Sequence, residues 1–157
     1  MEIALDFNQL KRDVKRSLSI IGKRSIDEDG NLIFKDITLG SLEEPLLNDY
    51  FQQAIIDLTT GTDTFIKASS DSSLTLEFPT NHNDALNPAI INSCKAYCTS
   101  YALYSWFTVV APKLVGKYQD DCARQMAALI RLIHNKKEPD EPASSYTDVN
   151  GTITQNH

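Results

Sequence analysis

The sequence predicts a mainly α-helical protein: a four-helix bundle-like domain with a small β-hairpin insertion and an extended C-terminal tail. Four stretches repeat apolar residues at spacings of three and four, which is typical of amphipathic helices. A polar loop separates two short alternating segments, and the last part of the chain is poor in apolar residues. We expect one helical domain over residues 1–135, with the hairpin at about 64–78, and a tail over residues 136–157.

The first helix is expected from about Asp6 to Ile21, with Asp6 and Gln9 as a capping pair and Gly22 as its end. The second is expected to start at Ser41, which has capping-box spacing to Glu44. Their apolar stripes are Phe7, Leu10, Val14, Leu18 and Ile21 in the first, and Leu47, Tyr50, Phe51, Ala54, Ile55 and Leu58 in the second, which Gly61 ends.

The third helix is expected to begin with Asn87 as its cap and Pro88 at its first position, and to reach about Val110. The fourth follows Pro112. Its stripe consists of Val115, Tyr118, Cys122, Met126, Leu129, Ile130 and Ile133.

Short strands are expected between the helices. Asn31 to Ile37 follows an acidic Gly turn, and Thr64–Ala68 and Leu74–Phe78 flank the loop "SSDSS". The second hairpin segment alternates apolar and polar residues, so one of its faces should be buried.

The third helix is the most apolar part of the chain, and a membrane anchor, a metal-binding helix and a covered core helix are the alternatives. Residues 96–112 carry no charge, but this run is shorter than the roughly 20 residues that span a bilayer, and it contains several hydroxyl groups. We therefore expect no membrane span. A helix that is apolar nearly all round should be central, covered by the other helices or by a neighbouring subunit.

The three cysteines are the candidate metal ligands. Cys94 and Cys98 are one helical turn apart, and Cys122 with a histidine would complete a zinc site. His134 lies about 18 Å beyond Cys122 on one helix, which leaves only His82. We expect no metal and no cofactor, and free thiols that pack as small hydrophobic residues in a reducing compartment.

A calcium loop is the second metal alternative. In "SIDEDGNLIFKD", Gly30 aligns with the invariant glycine of such a loop, but Asp36 replaces the bidentate glutamate and Ser25 replaces an aspartate. A turn that leads into a short strand is the expected structure.

Charge is unevenly distributed along the chain. The total is −6, but residues 1–24 contain six basic and three acidic side chains, a balance of +3, so the remaining residues sum to −9. This acidity argues against wrapping nucleic acid. The exception is the outer face of the first helix, where Lys11, Arg12, Lys15 and Arg16 are either solvated or in contact with phosphates or an acidic protein surface.

The sequence contains no recognisable nucleophile–base arrangement, phosphate loop or zinc-protease motif, so we expect no enzymatic activity. Trp106 and the tyrosines of the third helix are residue types that interfaces favour, although they are also ordinary core residues. Together with the four cations of the first helix, Trp106 and Tyr146 are our candidates for partner contact.

The order of these parts resembles the head–tail connector (adaptor) proteins of tailed bacteriophages. The similar segments are "LKRDVKRSLSI", the acidic "DEDG", "LLNDYFQQAIIDLTTGT", "NPAIINSCKAYCTSYALYSW" and "YQDDCARQMAALIRLI". They cover most of residues 5–135, whereas the hairpin and the tail depart from the short members of the family.

The resemblance implies a structural virion protein, made in the host cytoplasm, that forms a ring between the portal and the tail. Its partners would be copies of itself, most often in a dodecamer, the portal protein, and a tail or second adaptor protein. DNA would pass through the lumen without specific binding. The alternative is a small helical DNA-binding regulator that uses its basic first helix.

Overall fold

The computed structural model of the chain describes residues 1–24, 29–30, 39–40, 43–62, 65–70 and 72–135, and the short strands at 146–147 and 153–154. Its helices are α1 (Phe7–Arg24), α2 (Glu44–Gly61), α3 (Asn87–Val110) and α4 (Val115–Ile133). Its strands are β1 (Glu2–Ala4), β2 (Ile66–Ser70), β3 (Ser73–Leu76), β4 (Tyr146–Thr147) and β5 (Ile153–Thr154). The predicted mainly helical fold with a small hairpin is confirmed.

Helix α3 lies at the centre of the fold and contacts α1, α2 and α4. The short connection through the 3₁₀ turn Pro112–Leu114 places α4 beside it. The buried side chains of α3 are spread around the helix, as predicted for a central helix. They are Ile90, Cys94, Tyr97, Cys98, Ala102, Leu103, Trp106 and Phe107.

Helix α1 is amphipathic and begins at its predicted cap. Asp6 Oδ1 accepts hydrogen bonds from the backbone N–H groups of Asn8 at 2.9 Å and Gln9 at 3.1 Å. The Gln9 side chain does not return to Asp6 but donates to Asp13 at 2.9 Å, so only half of a capping box forms. The buried stripe of α1 consists of Leu10, Val14 and Leu18.

One predicted helix end is wrong. Helix α1 continues past Gly22 to Arg24, because Gly22 does not adopt the positive φ of a terminating glycine. Helix α2 begins at Glu44, and Pro45 fits its first turn because the missing N–H has no intrahelical partner there. The predicted start at Ser41 lies outside the described residues, whereas the predicted end at Gly61 is confirmed.

Two further details of the helices differ from prediction. Asn87 is the first residue of α3 and not its cap, since the 3₁₀ turn Asp84–Leu86 leads directly into the helix and Leu86 takes the cap position. Ile130 is 37% exposed, although the predicted stripe of α4 included it. Its neighbour Leu129 is fully buried; adjacent helical residues point about 100° apart, and Ile130 lies on the solvent side of the buried stripe.

The sheet has three antiparallel strands in the order β1-β3-β2. The hairpin of β2 and β3 confirms the prediction, and Leu74 and Leu76 are buried as the alternation indicates. Strand β1 was not predicted; it places Ile3 opposite Leu74. The three residues of β1 are too few to show, in the sequence, the alternation of apolar and polar side chains that identifies a strand. The predicted strand at 31–37 lies outside the described residues.

In the predicted tail, β4 pairs with β5 in antiparallel register, with Tyr146 opposite Thr154. The other residues of 136–157 lie outside the described residues. Within the described part of the chain, no helix has the length and apolar character required to cross a membrane.

Candidate functional site

The basic face of α1 consists of two rows with different environments. Lys11 and Lys15 form one row and Arg12 and Arg16 the other, because residues four apart share a helix face. The Lys15 ammonium forms an ion pair with Glu44 at the start of α2. Both arginines are exposed, and Arg12 Nη2 donates a 2.7 Å hydrogen bond to the side-chain oxygen of Gln9. We call Arg12 and Arg16 the arginine row.

The two rows also differ electrostatically. The hydrogen bond and charge of Lys15, with a smaller contribution from Lys11, hold the pKa of Glu44 below its ordinary value. The lysine row is thus oriented towards a carboxylate of its own chain. Within the described residues, neither arginine of the arginine row forms an ion pair. Of the four predicted contact residues on α1, only Lys15 is ion-paired within the described part of the chain, and the two arginines are the exposed ones.

The two aromatic contact candidates lie far apart in the sequence and in different elements. Trp106 is 6% exposed and lies in the core, because α3 is covered by the other helices. Its burial favours the core alternative that the sequence left open, since little of the ring is available to a partner. Tyr146 is the first residue of β4.

The cysteines are free thiols. Cys94 and Cys98 are buried, as predicted, and burial raises the pKa of each to about 12. Cys122 is half-buried; burial and then the charges of Asp121 and Asp57 raise its pKa to about 12. These thiols are therefore protonated and poorly nucleophilic at neutral pH. Among the described residues, no three or more histidine, cysteine or acidic side chains are arranged to hold a metal ion.

The His82 side chain contacts several other parts of the fold. Its ring stacks on Phe78 with centroids 3.9 Å apart. Its Nδ1 lies 3.2 Å from the carbonyl oxygen of Ile133, and its Nε2 lies 3.1 Å from Oδ1 of Asn87. The loop after β3 is thereby joined to the end of α4 and the start of α3.

A cavity of about 290 Å³ lies between α2, α3 and α4. Three tyrosines from one face of α3 contribute to its wall, since residues spaced by four and three align on a helix. The ring centroids of Tyr97 and Tyr101 are 6.1 Å apart, and those of Tyr101 and Tyr104 are 6.0 Å apart. We call this the tyrosine cavity; its lining residues are Asp57, Tyr97, Tyr101, Tyr104, Gln119 and Cys122.

The electrostatics of the tyrosine cavity favour a cation. Asp57, exposed on α2, is the one acidic residue of its lining, and its Oδ2 accepts a hydrogen bond from the Tyr97 hydroxyl. Burial, followed by the effect of Asp57, raises the pKa of Tyr97 and Tyr101, so both phenols are neutral. Aromatic faces carry partial negative charge, and beside a carboxylate they attract positively charged groups.

Sequence reasoning identified these tyrosines only as core or interface residue types. Their spacing was visible in the sequence and was the available signal. Asp57 could not be assigned to them, because its position depends on how α2 packs against α3. The sequence therefore indicated one wall of the cavity but not its charge.

The fold and these surfaces define a helical protein with an exposed arginine row and a separate cavity lined by three tyrosines and one carboxylate. No protein-family model, curated protein or solved structure matches the chain. The chemistry of the described surfaces and the order of the elements are therefore the basis for a functional proposal.

Proposed function

We propose that this protein is a structural component of a tailed-bacteriophage virion: a head–tail connector (adaptor) that forms a ring between the portal and the tail. The helical segments that resemble the family fall in α1, α2, α3 and α4 in the same order. The ring is a homo-oligomer, with a dodecamer as the expected size. In this role the protein binds the portal on one side and a tail or second adaptor protein on the other.

The separation of charge on one chain carries the proposal. The arginine row is exposed on α1, whereas the residues after 24 have a net charge of −9. Two complementary surfaces at different places on one protein associate head to tail, and such contacts generate a ring when the rotation between copies closes. Charge complementarity also selects the correct partner surface over others.

The negative charge is concentrated next to the basic helix in the sequence. Residues 25–44 contain six acidic residues and one basic residue. In a ring, acidic surface directed to the lumen would repel DNA phosphates and allow DNA to pass without binding. The uneven charge thus serves both contact between copies and passage of DNA.

A DNA-binding regulator is the competing function, and the arginine row is the observation that favours it. Two exposed arginines can contact phosphates, but Lys15 is already paired with Glu44. The regulator would bind DNA with a steep salt dependence that disappears when Lys11, Arg12, Lys15 and Arg16 are neutralised. The connector would bind DNA weakly as a free protein.

Light scattering tests the proposal. We expect the purified full-length chain to reach the mass of a ring when it is mixed with the portal protein of the same virion. A chain that stays monomeric with the portal would contradict the connector function. Cryo-electron microscopy of virions provides the second test, and density for the chain away from the portal vertex would also contradict it.

A further inference from the structure

The tyrosine cavity has the chemistry of an arginine-binding site. A guanidinium is planar, stacks on aromatic faces and forms bidentate hydrogen bonds with carboxylates. Tyr101 and Tyr104 supply aromatic rings to the lining, and Asp57 supplies a carboxylate at the solvent-exposed side. A carboxylate has about four acceptor sites, of which Tyr97 occupies one, so Asp57 retains acceptors for an incoming cation.

The arginine row is the matching donor surface, because both of its side chains are exposed and neither forms an ion pair within the described residues. Two arginines four residues apart project from the same face of α1, so they can approach one neighbour together. The lysine row is less suited because Lys15 is held by Glu44.

The arginine row cannot fill the cavity of its own chain. The Lys15–Glu44 ion pair fixes this part of α1 beside the first turn of α2. Asp57 is 13 residues further along the same helix, which is about 20 Å at the helical rise. An arginine of the arginine row that enters the cavity must therefore come from another copy of the chain.

We propose that the tyrosine cavity binds an arginine from the arginine row of a second copy of this chain. The inference deepens the proposed connector function and rests on it for the head-to-tail arrangement. Each copy offers arginines at one place and a cavity at another, so every copy contacts two neighbours through different surfaces. This is the heterologous type of contact that builds rings.

Removing the charge of Asp57 is the first test. Asp57→Asn keeps a hydrogen-bond acceptor for Tyr97 and removes the carboxylate. We expect about tenfold weaker self-association of the full-length chain in sedimentation velocity, since a lost cation contact of this kind costs about one decade. The matched control is Asp49→Asn, which removes the same charge from an exposed position on α2 outside the cavity lining.

The arginine row is tested in the same way. Arg12→Gln with Arg16→Gln should weaken self-association to a similar extent, whereas Lys23→Gln, an exposed position in the last turn of α1, should not. Thermal melting of each variant verifies that the fold is retained. Equal association of the wild type and the arginine variant would overturn the inference.

Charge exchange tests direct contact. One variant carries Asp57→Arg and the other carries Arg12→Asp with Arg16→Asp. In a sample of either variant alone, the contact between copies would bring like charges together, so that variant should not associate. In a mixture of the two, every contact pairs opposite charges, so association should return. A mixture that stays as dissociated as its components would count against contact between these surfaces.

The aromatic wall is tested at Tyr101. Tyr101→Phe keeps the ring face and should associate like the wild type, whereas Tyr101→Leu should weaken association. Equal behaviour of the two variants would show that the ring face does not bind the guanidinium.

The two proposals fail in different ways. Rings that form on the portal and are insensitive to the Asp57 and arginine variants would overturn this inference and leave the connector function intact. Self-association that depends on these residues, in a protein that never joins a portal, would support the arginine–cavity contact and contradict the connector function. Absence of self-association with and without the portal would overturn both.

Discussion

Helices α1 and α3 illustrate two uses of the same element. Helix α3 buries side chains all around its axis and is covered by α1, α2 and α4. Helix α1 buries a single stripe and exposes a basic face. Most side chains of α3 therefore contribute to the stability of the core, whereas the exposed face of α1 contributes little to it. Substitutions in the buried part of α3 and on the exposed face of α1 should therefore change different measured quantities.

The largest effect is expected in the core of α3. Phe107 is fully buried and stacks on Tyr118 with ring centroids 4.9 Å apart. Phe107→Ala should lower the free energy of unfolding by about 3–5 kcal/mol, because it removes apolar contacts and leaves a cavity. Urea denaturation measures this change.

Val109 provides the matched control on the same helix. It is 71% exposed, so Val109→Ala should change the free energy of unfolding by less than about 0.5 kcal/mol. Similar losses for the two variants would contradict the central position of α3.

Alkaline pH should destabilise the core around α3. Burial raises the pKa of Cys94 and Cys98 from an ordinary 9.0 to about 12. Since the folded values exceed the unfolded ones, the contribution of these thiols is present below pH 9.0 and is lost as the pH rises towards 12. The loss is on the order of 1 kcal/mol per thiol for each pH unit in this window.

Urea midpoints test the effect when they are measured at neutral pH and at a pH between 9.0 and 12. The double variant Cys94→Ala/Cys98→Ala removes both titrating groups, so its midpoint should fall less steeply with pH than that of the wild type. Parallel slopes for the two proteins would assign the alkaline loss to other groups.

A smaller effect is expected at the start of α1. Asp6 accepts from two backbone N–H groups of the first turn. Asp6→Ala should cost about 1 kcal/mol, as for other helix caps. Asn8→Ala, at an exposed position in the same turn, is the control and should be nearly neutral. Equal losses for both variants would mean that the cap hydrogen bonds contribute little.

The smallest effect concerns the lysine row. Lys15→Gln should raise the pKa of Glu44 towards its ordinary 4.5, because Lys15 is the main cause of the lowering. In the wild type, the stabilisation from this pair is present above pH 4.5 and is lost as the pH falls through the lowered pKa. Carboxyl NMR titration of Glu44 measures its pKa in both proteins. An equal titration midpoint of Glu44 in the wild type and in Lys15→Gln would contradict the ion pair.

The sequence predicted the helices and the central position of α3 because burial imposes a period on apolar residues over many turns. The prediction from sequence was wrong where the conformation of a single residue sets the end of a helix. Gly22 has the residue type of a helix end but not the required φ, and Asn87 binds His82 and does not cap its helix. Strand β1 was missed because its pairing partner is distant in the chain.

The candidate surfaces were predictable only in part. The basic face of α1 follows from residue spacing, but the division into lysine and arginine rows depends on where Glu44 lies. The tyrosine cavity likewise needs Asp57, which approaches α3 only through the packing of α2. Contacts between distant segments are set by tertiary packing, which no local pattern records.

The pairing of Ile3 with Leu74 has a consequence for synthesis. Strand β1 leaves the ribosome before its partner β3 has been translated. The buried stripe of α1 is likewise translated before α3, against which it packs. Helices α3 and α4, with a short connection between them, can pair as they emerge. Strand β1 and helix α1 are therefore translated before the segments that cover them, and until those segments follow, the apolar stripe and the basic face of α1 are both exposed.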